Sequence, residues 1–190
     1  MAKMLKVLDI GSGTFPYKAK ENEEVISVDF RPEVSPTVVH NLFKFPWPFE
    51  DSSFDVIYAS HVMEHMKDNI EFMEEIYRIA RANAKVIIRV LHYSGRSAWC
   101  DPTHQRAYSY YSFYYYDKGF RDHYGNCDFK VKRTELHYIR FPDYRNVVAR
   151  MANKIVNLFA NLSPKFCEKL WCYWVGGLSE IYVELQAIKK

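Results

Sequence analysis

An α/β sandwich built on a mostly parallel sheet is the fold class this sequence predicts, and three observations predict it. Short apolar runs rich in β-branched residues recur at 5–10, 25–28, 54–59 and 85–91, as strands buried on both faces of a parallel sheet should. Between the last two, "KDNIEFMEEIYRIARANA" places Ile70, Met73, Ile76, Tyr77 and Ala80 at helical spacing, the crossover helix that parallel neighbours need. The first run leads straight into the glycine loop "GSGT". With 190 residues and 48% hydrophobic content, the chain can bury one substantial core, so a single domain over 1–190 is expected.

In chain order, the strand at 5–10 and its loop are followed by "PYKAKENEE", whose weak apolar periodicity leaves a short or irregular helix. The strand at 25–28 precedes "RPEVSPTVVHNLFKFPWPFEDSS", where Pro32, Pro36, Pro46 and Pro48 exclude a long helix; one short strand at 37–40 and a surface loop remain. Strand 54–59, the crossover helix and strand 85–91 follow. Residues 92–128, dense in aromatics, His and Arg, have no clean period and read as a loop and short helix lying over the open edge of the sheet as an acceptor-side lid. "FKVKRTELHYI" alternates as a strand, "YRNVVARMANKIVNLFANL" is a helix, and "SEIYVELQAIKK" is the last strand. Residues 140–178 form a helical insert between those two strands.

A net charge of +3 and a pI near 8.5 permit an anionic partner but lack the concentrated charge of a nucleic-acid binder. Cys100, Cys127, Cys167 and Cys172 contain no CxxC pair, and with His92, His104 and His123 they match no closed zinc spacing, so no metal is expected. The start "MAKMLKVLDIGSG" has no signal core, "KVIIRVLHY" is broken by Arg89, and "KLWCYWVGGL" is too short to span a bilayer. A cytoplasmic protein with free thiols is the expectation.

Gly11 and Gly13, lacking Cβ, let backbone N–H groups approach a ligand closely. A dinucleotide fingerprint would need glycine where Pro16 stands, so that reading loses its third element. Asp29 ends the second strand about twenty residues after the loop, where a carboxylate can accept both hydroxyls of a ribose. Asn41 follows the short third strand, and "FDVIYASHV" forms the fourth ahead of "MEH".

Together these motifs resemble the class I S-adenosylmethionine-dependent methyltransferases, whose pattern is D/E-x-G-x-G, an acid ending strand two, an acid after strand three, and "FDxV" before a "hxxEH" turn. The resemblance covers roughly the first half of the chain. It implies a Rossmann-like three-layer sandwich with a seven-stranded sheet in order 3-2-1-4-5-7-6, the last strand antiparallel. It also implies S-adenosyl-L-methionine as cofactor and S-adenosyl-L-homocysteine as product. Carried over by position, Asp9, Gly11, Ser12, Gly13 and Thr14 would surround the methionine part, Asp29 would hold the ribose and Phe30 would line the adenine. Asn41 stands where the family has Asp, and its amide oxygen can still accept from the adenine amino group. Leu42 would offer its N–H to the ring, while Ser60 and His61 would lie near the transferred methyl, which makes His61 a catalytic candidate beside His104 and Asp101. Two departures are Phe15–Pro16 in place of a third glycine and the uncharged Asn41.

Methyl transfer is an in-line displacement, so alignment and exclusion of water matter most. A hydroxyl acceptor also needs a base, commonly His. "CDPTHQRAYS" directly follows strand five, at the carboxyl edge where open α/β sheets bind ligands. Asp101 and His104 read as an orienting pair and base, Arg106 as an anion clamp, and Tyr108 and His65 as further acceptor contacts. The structural alternative for Asp101 is a turn cap; for His61 and His65 it is fixing the turn. In the insert, Val147, Val148, Met151, Ile155, Val156, Phe159 and Leu162 form one face, with Arg145, Arg150 and Lys154 elsewhere. Such a helix packs on its own domain, on a second subunit, or on a membrane surface through 145–178. The functional expectation is O-methylation of a small-molecule or glycan-like acceptor, a lipid-linked one included, by a monomer or homodimer. An RNA methyltransferase and a catalytically inactive cofactor-binding subunit are the alternatives.

Overall fold

The apolar runs form strands in a computed structural model that describes residues 3–139 and 146–189. Seven strands, β1 (Leu5–Ile10), β2 (Glu23–Asp29), β3 (Val38–Val39), β4 (Phe54–Ser60), β5 (Ala80–Leu91), β6 (Phe129–His137) and β7 (Glu180–Ala187), make one sheet in the order β3-β2-β1-β4-β5-β7-β6. β1 to β5 pair in parallel, and β7 runs antiparallel to both β5 and β6. The expected strand order and the reversed last strand are both present.

The parallel register aligns Leu8, Ile57 and Val86 in one row and Ile10, Ala59 and Ile88 in the next. These side chains are buried with Phe72, Met73, Ile76 and Ile79 of α1 (Asn69–Ile79), so the helix covers this face with its apolar stripe. Asp68 starts α1 by accepting from the Ile70 and Glu71 N–H groups at 2.8 and 3.0 Å, a side-chain cap on otherwise orphaned donors.

The helix stops earlier than its periodicity suggests. Ala80 already belongs to β5, opposite Phe54, whereas the pattern placed it on the helix and began the strand at 85. Tertiary contact explains the difference: the carbonyls of Arg78 and Ile79 accept from the N–H groups of Ser52 and Ser53, which draws the chain directly into the sheet. Glu75 and Arg78 also pin the proline-rich loop, through the Trp47 N–H at 2.6 Å and the Phe49 carbonyl at 2.9 Å.

On the opposite face, the first crossover contributes loop rather than α-helix, with Tyr17 packed against Tyr58 at 5.2 Å between ring centroids. Further along that face Arg89 and Arg133 both lie over the Tyr182 ring. Residues 92–128 contain α2 (Ser97–Cys100) and a 3-10 turn at Ser112–Tyr116. Phe113 and Tyr116 of that turn are buried in the core, so part of the tyrosine run is structural packing.

α3 (Val147–Leu162) lies along the free edge of β6 and presents asparagines to it. Asn161, Asn157 and Asn153 accept from the N–H groups of Leu136, Tyr138 and Ile139 at 2.8, 2.7 and 3.0 Å. Spaced four apart, they occupy one helix face and satisfy donors that an edge strand would otherwise expose. Of the three settings expected for this helix, packing of the apolar face on its own domain does not hold: the sheet edge takes the asparagines and the apolar residues point outward. Arg145 and the start of the insert, 140–145, lie outside the described residues.

Asn157→Ala should speed amide hydrogen exchange at Tyr138 by roughly five- to tenfold, the equivalent of about one net hydrogen bond, while Ile88 in the core stays protected. Unchanged exchange at Tyr138 would show that the asparagine row does not hold the edge.

Candidate functional site

A cleft opens at the carboxyl ends of β1, β2 and β4, with a volume of about 890 Å³, enough for a nucleoside-sized ligand. Its first wall is the glycine loop. Gly11 has φ +63° and Gly13 φ +52°, the left-handed region where glycine carries no steric cost. A Cβ on Gly11 would sit 2.3 Å from Val62 Cγ2, so the backbone approaches β4's following turn as closely as it can.

Asp29, at the end of β2, fixes this loop. Its Oδ2 accepts from the Gly13 N–H at 2.9 Å, and its Oδ1 accepts from the Arg31 N–H at 3.0 Å. With the Arg31 Nε–H also donating to Oδ1 at 3.4 Å, the nearly buried carboxylate still lines the cleft, and a carboxylate has acceptor sites left after three bonds. Asp9, one strand over, accepts from the Tyr17 N–H at 2.8 Å. Burial pushes its carboxyl up, the Tyr17 N–H works against this, and the nearby Asp29 charge adds to the rise.

Phe30, Leu42 and Phe43 continue the wall, with Phe30 and Phe43 more than half exposed, as apolar surfaces awaiting a flat ring would be. Among the described residues, Asp9, Ser12, Gly13, Thr14, Asn41 and Ser60 lie outside the cleft lining. Ser12 is buried beneath the loop, and Thr14 is exposed beyond it. Asn41 Oδ1 accepts from the Phe43 N–H at 3.0 Å, a turn that orients Leu42 and Phe43.

The opposite wall contains His61, Val62 and His65. His61 has φ +57°, and its two ring nitrogens each face a carboxylate: Nδ1 to Glu64 Oε1 at 2.9 Å, Nε2 to Glu180 Oε2 at 2.8 Å. With a carboxylate oxygen at hydrogen-bond distance from each ring nitrogen, His61 has both nitrogens engaged within the protein. His61 is thereby corrected from catalytic candidate to positioning residue. Glu180 Oε1 also accepts from Arg89 and from His137 Nδ1 at 3.2 Å. Burial pushes the Glu180 carboxyl up, but hydrogen bonds from His137, His61 and Arg89 outweigh it and hold the group well below the usual carboxylate range. Sequence reasoning missed Glu180 and His137. Arg89 interrupting an apolar run was the visible signal that a buried counter-charge existed.

Residues after β5 reach the cleft through Thr103 and Gln105. The Gln105 N–H donates to the Glu64 carbonyl at 2.7 Å, tying this loop to the turn that carries His65. Asp101 Oδ1 accepts from the Thr103 hydroxyl at 2.7 Å and from its N–H at 2.8 Å, and these bonds hold its carboxyl low. Since the Thr103 hydroxyl donates to Asp101, its oxygen accepts from His65 Nδ1 at 2.9 Å, which leaves His65 Nε2 with its lone pair. His104 is set back: Nδ1 donates to the Ala98 carbonyl at 3.2 Å, Nε2 is 3.9 Å from Asp101, and its ring packs edge-on against His65 at 4.7 Å.

Two acceptor-side expectations are corrected. Tyr108 is buried, donating to the Met63 carbonyl at 2.9 Å, because its hydroxyl is needed beneath the 63–65 turn. Arg106 lines a separate cavity of about 450 Å³ with Tyr115, Tyr116 and Tyr124, since the chain has turned away from the cleft by that point. The described residues hold no cluster of metal-ligating side chains.

Residues 8–88 match the sequence pattern of the family described as "Methyltransferase domain", the stretch that runs from β1 into β5. No curated protein matches the chain in sequence. Solved structures match in fold over nearly the whole chain. A putative methyltransferase from Bacillus halodurans C-125 shares 13% identity, with a TM-score of 0.62 over 100% of this chain and 95% of that one. A SAM-dependent methyltransferase from Archaeoglobus fulgidus shares 18% identity, with a TM-score of 0.57 over 96% and 86%. A structure of the Haloferax volcanii Trm112 methyltransferase activator with a putative methyltransferase matches at 14% identity and a TM-score of 0.60, over 98% and 84%.

A carboxyl held below its unfolded value stabilises the fold above that value and loses the contribution as pH falls through the folded one. Glu180→Gln should therefore be less stable at pH 7 by roughly 3–5 kcal/mol, the range for breaking a buried ion pair. The gap to wild type should narrow below the ordinary glutamate value of 4.5, read by denaturant titration at each pH. A gap independent of pH would remove Glu180 as the charge that organises this wall.

Proposed function

We infer that this chain, a class I methyltransferase that uses S-adenosyl-L-methionine, methylates an oxygen of a small-molecule or glycan-like acceptor. The observation that carries the reading is the cleft with two opposed chemistries: an acid and glycine cradle on one side, and a histidine with a free nitrogen on the other.

The cradle residues suit the donor. Asp29 would accept the ribose hydroxyls, Phe30, Leu42 and Phe43 would enclose the adenine, and the Asp9 and Asp29 charges would favour a sulfonium and an ammonium. When bound, S-adenosyl-L-methionine supplies an electrophilic methyl group and is left as S-adenosyl-L-homocysteine. The chain's task is alignment, exclusion of water and removal of one proton. His65 Nε2 is the group we assign to that proton, with Asp101 acting through Thr103 to hold Nδ1–H in place. His104 supports the ring from the side, which moves the base from His104, first favoured from sequence, to its neighbour. The four free thiols and the mild positive charge fit a reducing, cytoplasmic setting.

A labelled-methyl assay against sugars, hydroxylated metabolites and RNA tests both the acceptor and the base. Expected is transfer to a hydroxyl compound, a loss of about 10²–10⁴-fold in kcat for His65→Ala, and a smaller loss for Thr103→Val with a shifted acidic limb of the pH profile. His104→Ala should retain the wild-type pH profile. A His65→Ala rate equal to wild type, or transfer confined to RNA, would overturn the assignment.

A further inference from the structure

α3 covers the sheet edge with its asparagines, and its other side has no partner in the described structure. Val147, Val148, Met151, Ile155, Leu158 and Phe159 are all more than half exposed, and 3.6 residues per turn gathers them within about a third of the helix circumference. A helix serving only to cap an edge would carry polar residues outward.

The apolar surface continues past the helix into the turns Pro164–Phe166, Cys167–Trp171 and Cys172–Trp174. There Phe166 is 59%, Tyr173 73% and Trp174 83% exposed. Charge around this surface has one sign. Lys154, Lys165 and Lys169 are exposed, whereas Glu168, the acid within 147–178, is turned inward to His92 Nε2 at 3.0 Å and the Tyr110 N–H at 2.6 Å.

From this combination we propose that α3 and the turns after it dock the protein on an anionic lipid surface. Outward aliphatic and aromatic side chains flanked by cations are the pattern of a helix lying in the plane of a bilayer interface, where Trp and Tyr settle at headgroup depth. A second copy fits less well, because a two-fold contact through this surface would set its cations against themselves. No helix among the described residues is long and apolar enough to cross a membrane, so the contact is peripheral.

Co-sedimentation of the full chain, without methyl donor, with vesicles of phosphatidylcholine alone or mixed with phosphatidylglycerol tests this separately from catalysis. Binding is expected to the mixed vesicles, weakened by salt. Lys154→Gln with Lys165→Gln should weaken it roughly 25-fold, at about fivefold per cation near a charged surface. Phe159→Ser with Trp174→Ser should abolish it while circular dichroism stays unchanged. Wild-type protein that remains in the supernatant, or binds neutral and anionic vesicles equally, would overturn the proposal. So would a dimer in sedimentation velocity that buries Trp174 and excludes vesicles.

Discussion

One carboxylate joins the two loops that form the first wall of the cleft. Asp29 accepts from the Gly13 N–H with one oxygen and from the Arg31 N–H with the other. Without it, the Gly13 and Arg31 N–H groups would lose their shared acceptor, leaving the Gly11 and Ser12 N–H bonds to the Val28 carbonyl, at 2.8 and 3.3 Å, to tie the loop to β2. Because the same group also faces the cleft, its structural work and its capacity to accept ligand hydroxyls come from one set of lone pairs. The parallel register of β1 against β2 and β4 makes this possible by delivering the ends of these strands to one edge.

A second charge organises the opposite wall. Glu180 enters from β7, a strand distant in sequence, and gathers Arg89, His61 and His137. This explains why His61 can hold φ +57°: its ring is fixed at both nitrogens, so the backbone follows. It also separates the two histidines of the "HVMEH" turn. His61 is saturated by carboxylates, while His65 is bonded at a single nitrogen and faces the cleft, so the two rings have different chemistry four residues apart.

What the sequence disclosed depended on range. β-branched runs, the stripe of α1 and the glycine loop are local signals; strands and cleft stand where they indicated, while α1 ends and β5 begins earlier than the periodicity placed them. Asp29 was legible because its spacing from the loop reflects one crossover. The Glu180 cluster was not, since its members meet only after β7 inserts between β5 and β6. The orientation of α3 was also hidden: periodicity reveals an apolar face but not the neighbour it lacks, and here the edge of β6 claimed the asparagine face. Tyr108 and Arg106 sat in a suggestive motif, yet the path of the chain after Gln105 carries both away from the cleft. Likewise the bond between Thr103 and His65 spans 38 positions and has no sequence periodicity to announce it.

An adenosine thioether in the cleft would be held through Asp29. Calorimetric titration with S-adenosyl-L-homocysteine, beside NAD and adenosine, on wild type and Asp29→Ala, tests that directly. The account predicts selective binding of the thioether and its loss in the variant. Equal affinity for NAD, or thioether binding that survives the loss of Asp29, would contradict it.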